Sequence, residues 1–283
     1  MAGESFKFMF GENAAPVLRF SLPEISLKAQ GLAGKLSISG VQPKLSVKFD
    51  KKLGELVPAP EAGEYILKPS PSEFPRLAEN EQCCMDIAQA MGIDVPSHCL
   101  LPLLDGNCVY VVKRFDRQGA GKIHQEDFSQ LLDRDKYAGS VEQVGRKLKD
   151  ISAVPGLDVQ LLFERVVFNF LIGNGDAHLK NYSINYDHAQ QIRLSPAYDL
   201  VSSKLAIPQE EDESALAING KKNKLTRNDF DAAADYLKIP AGVRYEKFAK
   251  KSDVMKTVVR SSNLNQEEQS RFIAIIEARY ARI

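Results

Sequence analysis

One stretch restricts this chain more than any other. Residues 159–172 are apolar nearly all round a helical wheel, through Leu161, Leu162, Val166, Val167, Phe170 and Leu171. A helix of that kind has no face to give to water, so it predicts the heart of a helical domain. It also stops abruptly. Gly173-Asn174-Gly175 is turn chemistry, with residues that suit tight, left-handed backbone. The turn leads into a polar string, Asp176-Ala177-His178-Leu179-Lys180-Asn181.

Upstream the texture differs. From Lys44 onward Leu45, Val47 and Phe49 alternate with Ser46 and Lys48, the period of a half-buried strand. Residues 64–68 form a second short strand, stopped by Pro69, and residues 109–115 a third, rich in β-branched side chains. A helix is predicted over 77–91, closed by Gly92. The first 35 or so residues read as irregular, with one amphipathic stretch at 23–30. Past about residue 125 the pattern becomes helical. Helices are expected at 141–148 and 159–172, an extended pair at 182–186 and 191–195 around Asp187-His188, and amphipathic helices from 228 to 283. Residues 208–214 read as an exposed acidic loop. This predicts an α+β chain with a small strand-rich N-lobe, 1–125, and a larger helical C-lobe, 126–283, with the boundary near 116–128.

Composition narrows the function classes. Apolar residues are 44% and charged residues 26% of 283, the mix of a globular protein. Thirty-seven Lys and Arg balance 37 Asp and Glu, which argues against direct nucleic-acid binding as the main task. No apolar run approaches 18 residues, so no membrane span is expected. The N-terminal residues lack the pattern of a secretory signal. Cys83, Cys84, Cys99 and Cys108 show no zinc spacing and read as small core residues of a cytoplasmic protein. His98 and His188 read as surface or turn residues.

The chemistry concentrates after the apolar helix. Asp176 presents a carboxylate, and five residues later Asn181 presents a carboxamide. Phosphoryl transfer needs such a pair, one group to orient or deprotonate the attacking hydroxyl and one to ligate Mg²⁺. Asp199, in Tyr198-Asp199-Leu200, supplies a second possible metal ligand. Few carboxylates plus phosphate oxygens and water suit Mg²⁺ better than a calcium cage. Lys68 ends a strand and precedes a helix bearing Glu79 and Glu81, the pairing that kinases use to hold ATP phosphates. The segment from Gly34 to Lys44 is rich in Gly and Ser before the first strand. Its N–H groups could face phosphate, although it is neither a Walker A nor a G-x-G-x-x-G loop.

In this order the motifs resemble the HipA family of serine/threonine kinases, toxins of bacterial toxin–antitoxin modules. The resemblance runs from about residue 35 to 205. It is carried by Ser37-Ile38-Ser39-Gly40-Val41-Gln42-Pro43-Lys44, Tyr65-Ile66-Leu67-Lys68-Pro69, Asn80-Glu81, Val111-Val112-Lys113-Arg114-Phe115-Asp116-Arg117, His124-Gln125-Glu126-Asp127, Asn174-Gly175-Asp176-Ala177-His178-Leu179-Lys180-Asn181 and Ser195-Pro196-Ala197-Tyr198-Asp199-Leu200. It implies a protein-kinase-like fold and an ATP- and Mg²⁺-dependent enzyme. Asp176 would be the base, Asn181 and Asp199 the metal ligands, and Lys68 the phosphate lysine, steadied by Glu81. Residues 113–115 would form the adenine hinge, with Lys113 standing where the family's best-studied branch has an acidic residue, and Phe115 near the base. Gln125 would lie near the ribose, and His178 and Tyr198 would line the nucleotide site. Ser39, Gly40, Val41 and Gln42 would belong to a phosphate loop in which Ser37 or Ser39 is autophosphorylated.

About 35 residues precede that loop here, where longer HipA-type kinases carry an additional subdomain. This resembles the compact HipT-like branch, whose expected partners are a small HipS-like protein and a DNA-binding HipB-like antitoxin. The substrate implied is an aminoacyl-tRNA synthetase, tryptophanyl- ahead of glutamyl-, with inhibition of translation in the cytoplasm as the outcome. The competing readings are a catalytically silent nucleotide-binding scaffold in a repressor complex, and a small-molecule or lipid phosphotransferase.

Overall fold

The computed structural model describes residues 2–33, 43–118, 121–187 and 189–283. The phosphate-loop residues Ser37, Ser39, Gly40, Val41 and Gln42, and the turn residue His188, lie outside the described residues. The chain separates into two compact units. One holds Met1–Gln82 with Pro96–Arg117, the other Cys83–Val95 with Gln118–Ile283.

The first unit is built on a five-stranded antiparallel sheet of order β2-β1-β3-β5-β4. The strands are β1 (Leu45–Asp50), β2 (Glu55–Pro58), β3 (Tyr65–Pro69), β4 (His98–Pro102) and β5 (Cys108–Lys113). Strands β1, β3 and β5 follow the sequence reading, whereas β2 and β4 were not anticipated. The first residues are not irregular as expected. They form helices α1 (Ala2–Phe10) and α2 (Leu22–Ala33), and only the second contains the amphipathic stretch. Met9, Phe10 and Ile25 from these helices join Leu45, Val47, Tyr65, Leu67, Val109 and Val111 in one apolar cluster. Burial of that face fixes the register, because a one-residue slip would turn every side chain over.

Alternation then puts Lys68 on the opposite face from Tyr65 and Leu67. There it stands in register with Tyr110 of β5. His98 is a second correction. It is buried, with its ring 6.0 Å from that of Tyr110 and Nδ1 2.8 Å from the Pro96 carbonyl oxygen, not a surface residue. Helix α3 (Leu77–Ala90) follows β3 and ends at Gly92 in the left-handed region (φ +72). A two-residue ladder, β6 (Arg117–Gln118) with β7 (Gly121–Lys122), comes next.

The second unit carries β8 (Gln125–Asp127), β9 (Ser183–Tyr186) and β10 (Ile192–Leu194), ordered β10-β9-β8. Its helices are α4 (Phe128–Leu132), α5 (Val141–Ile151), α6 (Pro155–Leu171), α7 (Ser203–Ala206), α8 (Arg227–Leu237), α9 (Ser252–Ser261) and α10 (Gln266–Tyr280). The apolar stretch of the sequence is α6, buried along nearly its whole length. It also buries Asp158, Glu164, Arg165 and Asn169, which must therefore find partners. The acidic loop is only partly exposed. Glu213 takes both Arg279 and Arg282, and those two guanidiniums stand 4.6 and 5.1 Å over the Phe170 ring of α6. Cys83, Cys84 and Cys99 are buried, and all four cysteines are free thiols. Among the described residues no helix is long and apolar enough to cross a membrane.

Candidate active site

The loop that carries Asp176 is shaped by the way α6 stops. Gly173, at φ +69, takes the left-handed conformation that ends the helix. Its N–H bonds the Phe170 carbonyl and that of Asn174 bonds the Asn169 carbonyl, the two bonds of a Schellman motif. Side chains lock the turn. Asn174 Nδ2 donates to Asn169 Oδ1 at 2.9 Å, and Asn169 Nδ2 to the Tyr182 hydroxyl at 3.1 Å. Asn174 Oδ1 accepts the Asp176 N–H at 3.3 Å, and the Ser203 hydroxyl accepts that of Gly175 at 2.8 Å. The outcome is an exposed Asp176 on a loop whose base is fully buried.

Residues Leu179–Asn181 form a 3-10 turn, capped by the Asn181 Oδ1, which accepts the His178 N–H at 3.0 Å. The Asn181 Nδ2 lies 3.5 Å from Asp199 Oδ2. Asp199 adopts φ +54, rare for a residue with a side chain. The segment before it is tied down in several places. Arg165 of α6 donates to the Ser195 carbonyl, Ala197 N–H to the Asp94 carbonyl at 2.8 Å, and the Tyr198 hydroxyl to the Lys180 carbonyl at 2.8 Å. Tyr198 also bonds the Ser183 hydroxyl, and burial pushes its phenol strongly up.

Burial pulls Arg165 down to about 10, against the opposing charge of Asp94. Burial likewise lowers His178, against the charge of Asp176, and its Nδ1 has no hydrogen-bond partner among the described residues. The structure thus brings Asp176, His178, Asn181, Tyr198 and Asp199 together.

Asn181 and Asp199 test the expected metal directly. Among the described residues no three His, Cys, Asp or Glu side chains group into a metal site. An amide oxygen with a second lone pair and one carboxylate remain. That donor set fits Mg²⁺, which keeps several waters and takes further oxygens from phosphate.

In the first unit, Lys68 and Glu81 meet as predicted. Nζ and Oε1 are 2.5 Å apart, with Lys68 4% and Glu81 1% exposed. Helical phase decides between the two glutamates, since Glu79 instead faces Arg76 at 3.6 Å. The Lys68 ammonium also lies 5.5 Å over the Tyr110 ring. Lys113 closes β5 with its side chain exposed and its N–H bonded to the Ser97 carbonyl. Phe115 is half-buried beyond it. Gln125 opens β8 in register with Asn185 of β9.

Two residues at the site were not singled out from the sequence. Arg165 carried a signal, a cation inside an apolar helix. Tyr137 carried none. Its hydroxyl donates to Asp176 Oδ1 at 3.0 Å across 39 positions, and its ring stands edge-on to His178 at 5.3 Å.

Comparison with known proteins places the chain as a whole among relatives. The profile of the HipA-like C-terminal domain matches residues 36–272. Y4dM of Sinorhizobium fredii, named as an inferred kinase, is 38% identical over 217 residues, which cover 70% of this chain and 52% of that protein. The serine/threonine-protein kinase toxin HipA of Shewanella oneidensis is 28% identical over 234 residues, 73% of this chain and 52% of HipA. The chain therefore spans about half the length of these two relatives. Among solved structures, a chain of the Shewanella oneidensis MR-1 complex of HipA, HipB and operator DNA matches with a TM-score of 0.71. Identity there is 22%, over 87% of this chain and 65% of the other. The Helicobacter pylori kinase CtkA matches with a TM-score of 0.62 at 16% identity, over 88% of this chain and 91% of CtkA. The fold is the α+β fold of these kinases.

Proposed function

Because the chain belongs to the HipA-like C-terminal domain family, we propose that it is a Mg-ATP-dependent serine/threonine protein kinase. The observation that carries this reading is the exposed Asp176 on a locked loop that also brings Asn181 to 3.5 Å from Asp199. Asp176 orients the acceptor hydroxyl and takes its proton as the oxygen attacks the γ-phosphorus, while the bond from that phosphorus to the β,γ-bridging oxygen breaks and ADP leaves. Lys68, held by Glu81, offsets charge on the ATP phosphates. Asn181 and Asp199 would hold Mg²⁺, which would supply further neutralisation of phosphate charge. The hinge at 113–115 with Phe115, together with Gln125, His178 and Tyr198, serves the nucleotide, and Ser39, Gly40, Val41 and Gln42 cover its phosphates. The division of labour follows an N-lobe of 1–125 and a C-lobe of 126–283.

The finer reading takes an aminoacyl-tRNA synthetase as substrate, tryptophanyl- ahead of glutamyl-, so that translation stops in the cytoplasm. It adds autophosphorylation at Ser37 or Ser39, where about −1.5 to −2 of charge would repel ATP phosphates. HipS-like and HipB-like proteins are the partners, and the Shewanella HipA complex with HipB and DNA supports the HipB-like one. Transfer of labelled γ-phosphate tests the core of this. Wild type should label itself or a lysate protein, and Asp176→Gln should label neither. Absence of label with wild type would leave a nucleotide-binding scaffold. Mass spectrometry after incubation with Mg-ATP checks the two serines.

A further inference from the structure

Building on the proposed kinase activity, we infer that Tyr137 is a positioning residue for Asp176, fixing one carboxylate oxygen so that the other is presented to the acceptor hydroxyl. The contact stands out because it is single. Among the described residues, the Tyr137 hydroxyl is the one side-chain donor to this carboxylate, reaching Oδ1 at 3.0 Å. The terminal torsion of an aspartate is broad and roughly two-fold. On an exposed residue, a hydrogen bond selects one of those orientations. A phenol suits the task, since its rigid ring has few torsions and its hydroxyl donates one proton to the carboxylate.

Tyr137 is itself held in place, although its side chain reaches the surface. It lies on the strap between α4 and α5. Asp133 ends α4 in the left-handed region (φ +50). The Asp135 carboxylate then accepts the Tyr137 N–H at 3.0 Å, a side-chain turn that sets the direction of the ring. The Lys136 carbonyl accepts the Leu179 N–H at 3.0 Å, so the strap is fastened to the same loop that carries Asp176. The Lys136 ammonium sits 4.6 Å over the tyrosine ring, which packs nearly perpendicular to the His178 ring. The strap and the loop are thus joined at a backbone bond and a side-chain bond three residues apart. A residue held this way can restrict its neighbour without touching nucleotide or substrate.

The test is Tyr137→Phe, which removes one oxygen and keeps the ring. We expect kcat to fall roughly tenfold, as for loss of a hydrogen bond to a charged group, with KM for Mg-ATP unchanged. Unchanged kcat, or a loss appearing in the Mg-ATP KM instead, overturns the assignment. A second readout needs no activity. Burial raises the Tyr137 phenol, Lys136 opposes this, and the charge and hydrogen bond of Asp176 add to the rise. In a protein carrying tyrosine labelled with ¹³C at Cζ, Tyr137 should therefore titrate at lower pH in Asp176→Ala than in wild type. An identical titration in both overturns the contact. A wild type without phosphotransfer overturns the kinase activity and this role with it, while the titration still reports whether the contact exists.

Discussion

Replacing Glu81 by alanine takes the carboxylate at 2.5 Å from an ammonium that is 4% exposed. Lys68 stands on β3 in register with Tyr110, and its ammonium lies 5.5 Å over that ring. Removing one member of a buried pair costs about 3–5 kcal/mol, because the remaining charge stays desolvated. For a chain of this size each kcal/mol lowers Tm by roughly 2–4 °C, so Glu81→Ala should unfold roughly 6–20 °C below wild type. The informative control is the double variant Lys68→Met with Glu81→Leu. Apolar residues of similar volume remove both desolvation costs, and most of the lost stability should return. Phosphate transfer should stay absent in both, since neither retains the lysine–glutamate pair. Thermal and urea unfolding followed by circular dichroism measure Tm and stability, and labelled ATP measures transfer. If Glu81→Ala stays within about 1 kcal/mol of wild type, or the double variant is as unstable as the single one, buried charge is not what the pair contributes.

Two further changes reach the second unit. A methyl group at Gly175 would meet the Asp212 carbonyl oxygen at 2.5 Å and the Glu210 carboxylate at 3.1 Å. The first is backbone and cannot swing aside, so Gly175→Ala should displace the Asp176 loop and reduce transfer at least tenfold, while binding of a fluorescent ATP analogue persists. Full activity would show that the loop yields freely. At Asp229, burial raises the carboxyl, but hydrogen bonds from Lys221, the Thr226 N–H, Asn219 and the Thr226 hydroxyl outweigh it and bring it to about 2. A depressed carboxyl gives stability above its unfolded pKa of 3.8 that is lost as pH falls toward 2. The urea midpoint of wild type should therefore drop more steeply than that of Asp229→Asn between about pH 4 and pH 2. Parallel declines would refute the linkage.

What could be read in the sequence was local. The spacing from Asp176 to Asn181 is set by a helix end and one 3-10 turn, both built from neighbouring residues. Strands β1, β3 and β5 alternate or are β-branched, whereas β2 has four residues and β4 begins with a buried histidine among apolar neighbours. Neither offers a period to find. Helix α1 opens with Ala-Gly, and Gly3 weakens its local preference. Its Met9 and Phe10 are held by the sheet cluster. Tertiary burial overrides propensity there, and no window of sequence contains the partner.

Helix α6 shows how far such a reading can go. The wheel is apolar with a few polar interruptions, and three of them, Asp158, Arg165 and Asn169, are tethers. Asp158 accepts the Leu194 N–H at 3.0 Å and pairs with Arg193 at 2.9 Å. Arg165 holds the Ser195 carbonyl, four residues before Asp199. Asn169 holds Asn174, two residues before Asp176. Burying these groups would be costly without partners, and in a helix surrounded by protein their partners must come from other segments. A buried polar residue of this kind therefore signals that another part of the chain is fastened there, as at Asp158, Arg165 and Asn169. What the sequence withholds is which part, because for Arg165 and Asp158 that depends on contacts spanning 30 and 36 positions. In this chain the tethers at Arg165 and Asn169 lead to the two segments that carry Asp199 and Asp176, so α6 is the common frame for the candidate base and the candidate metal ligand.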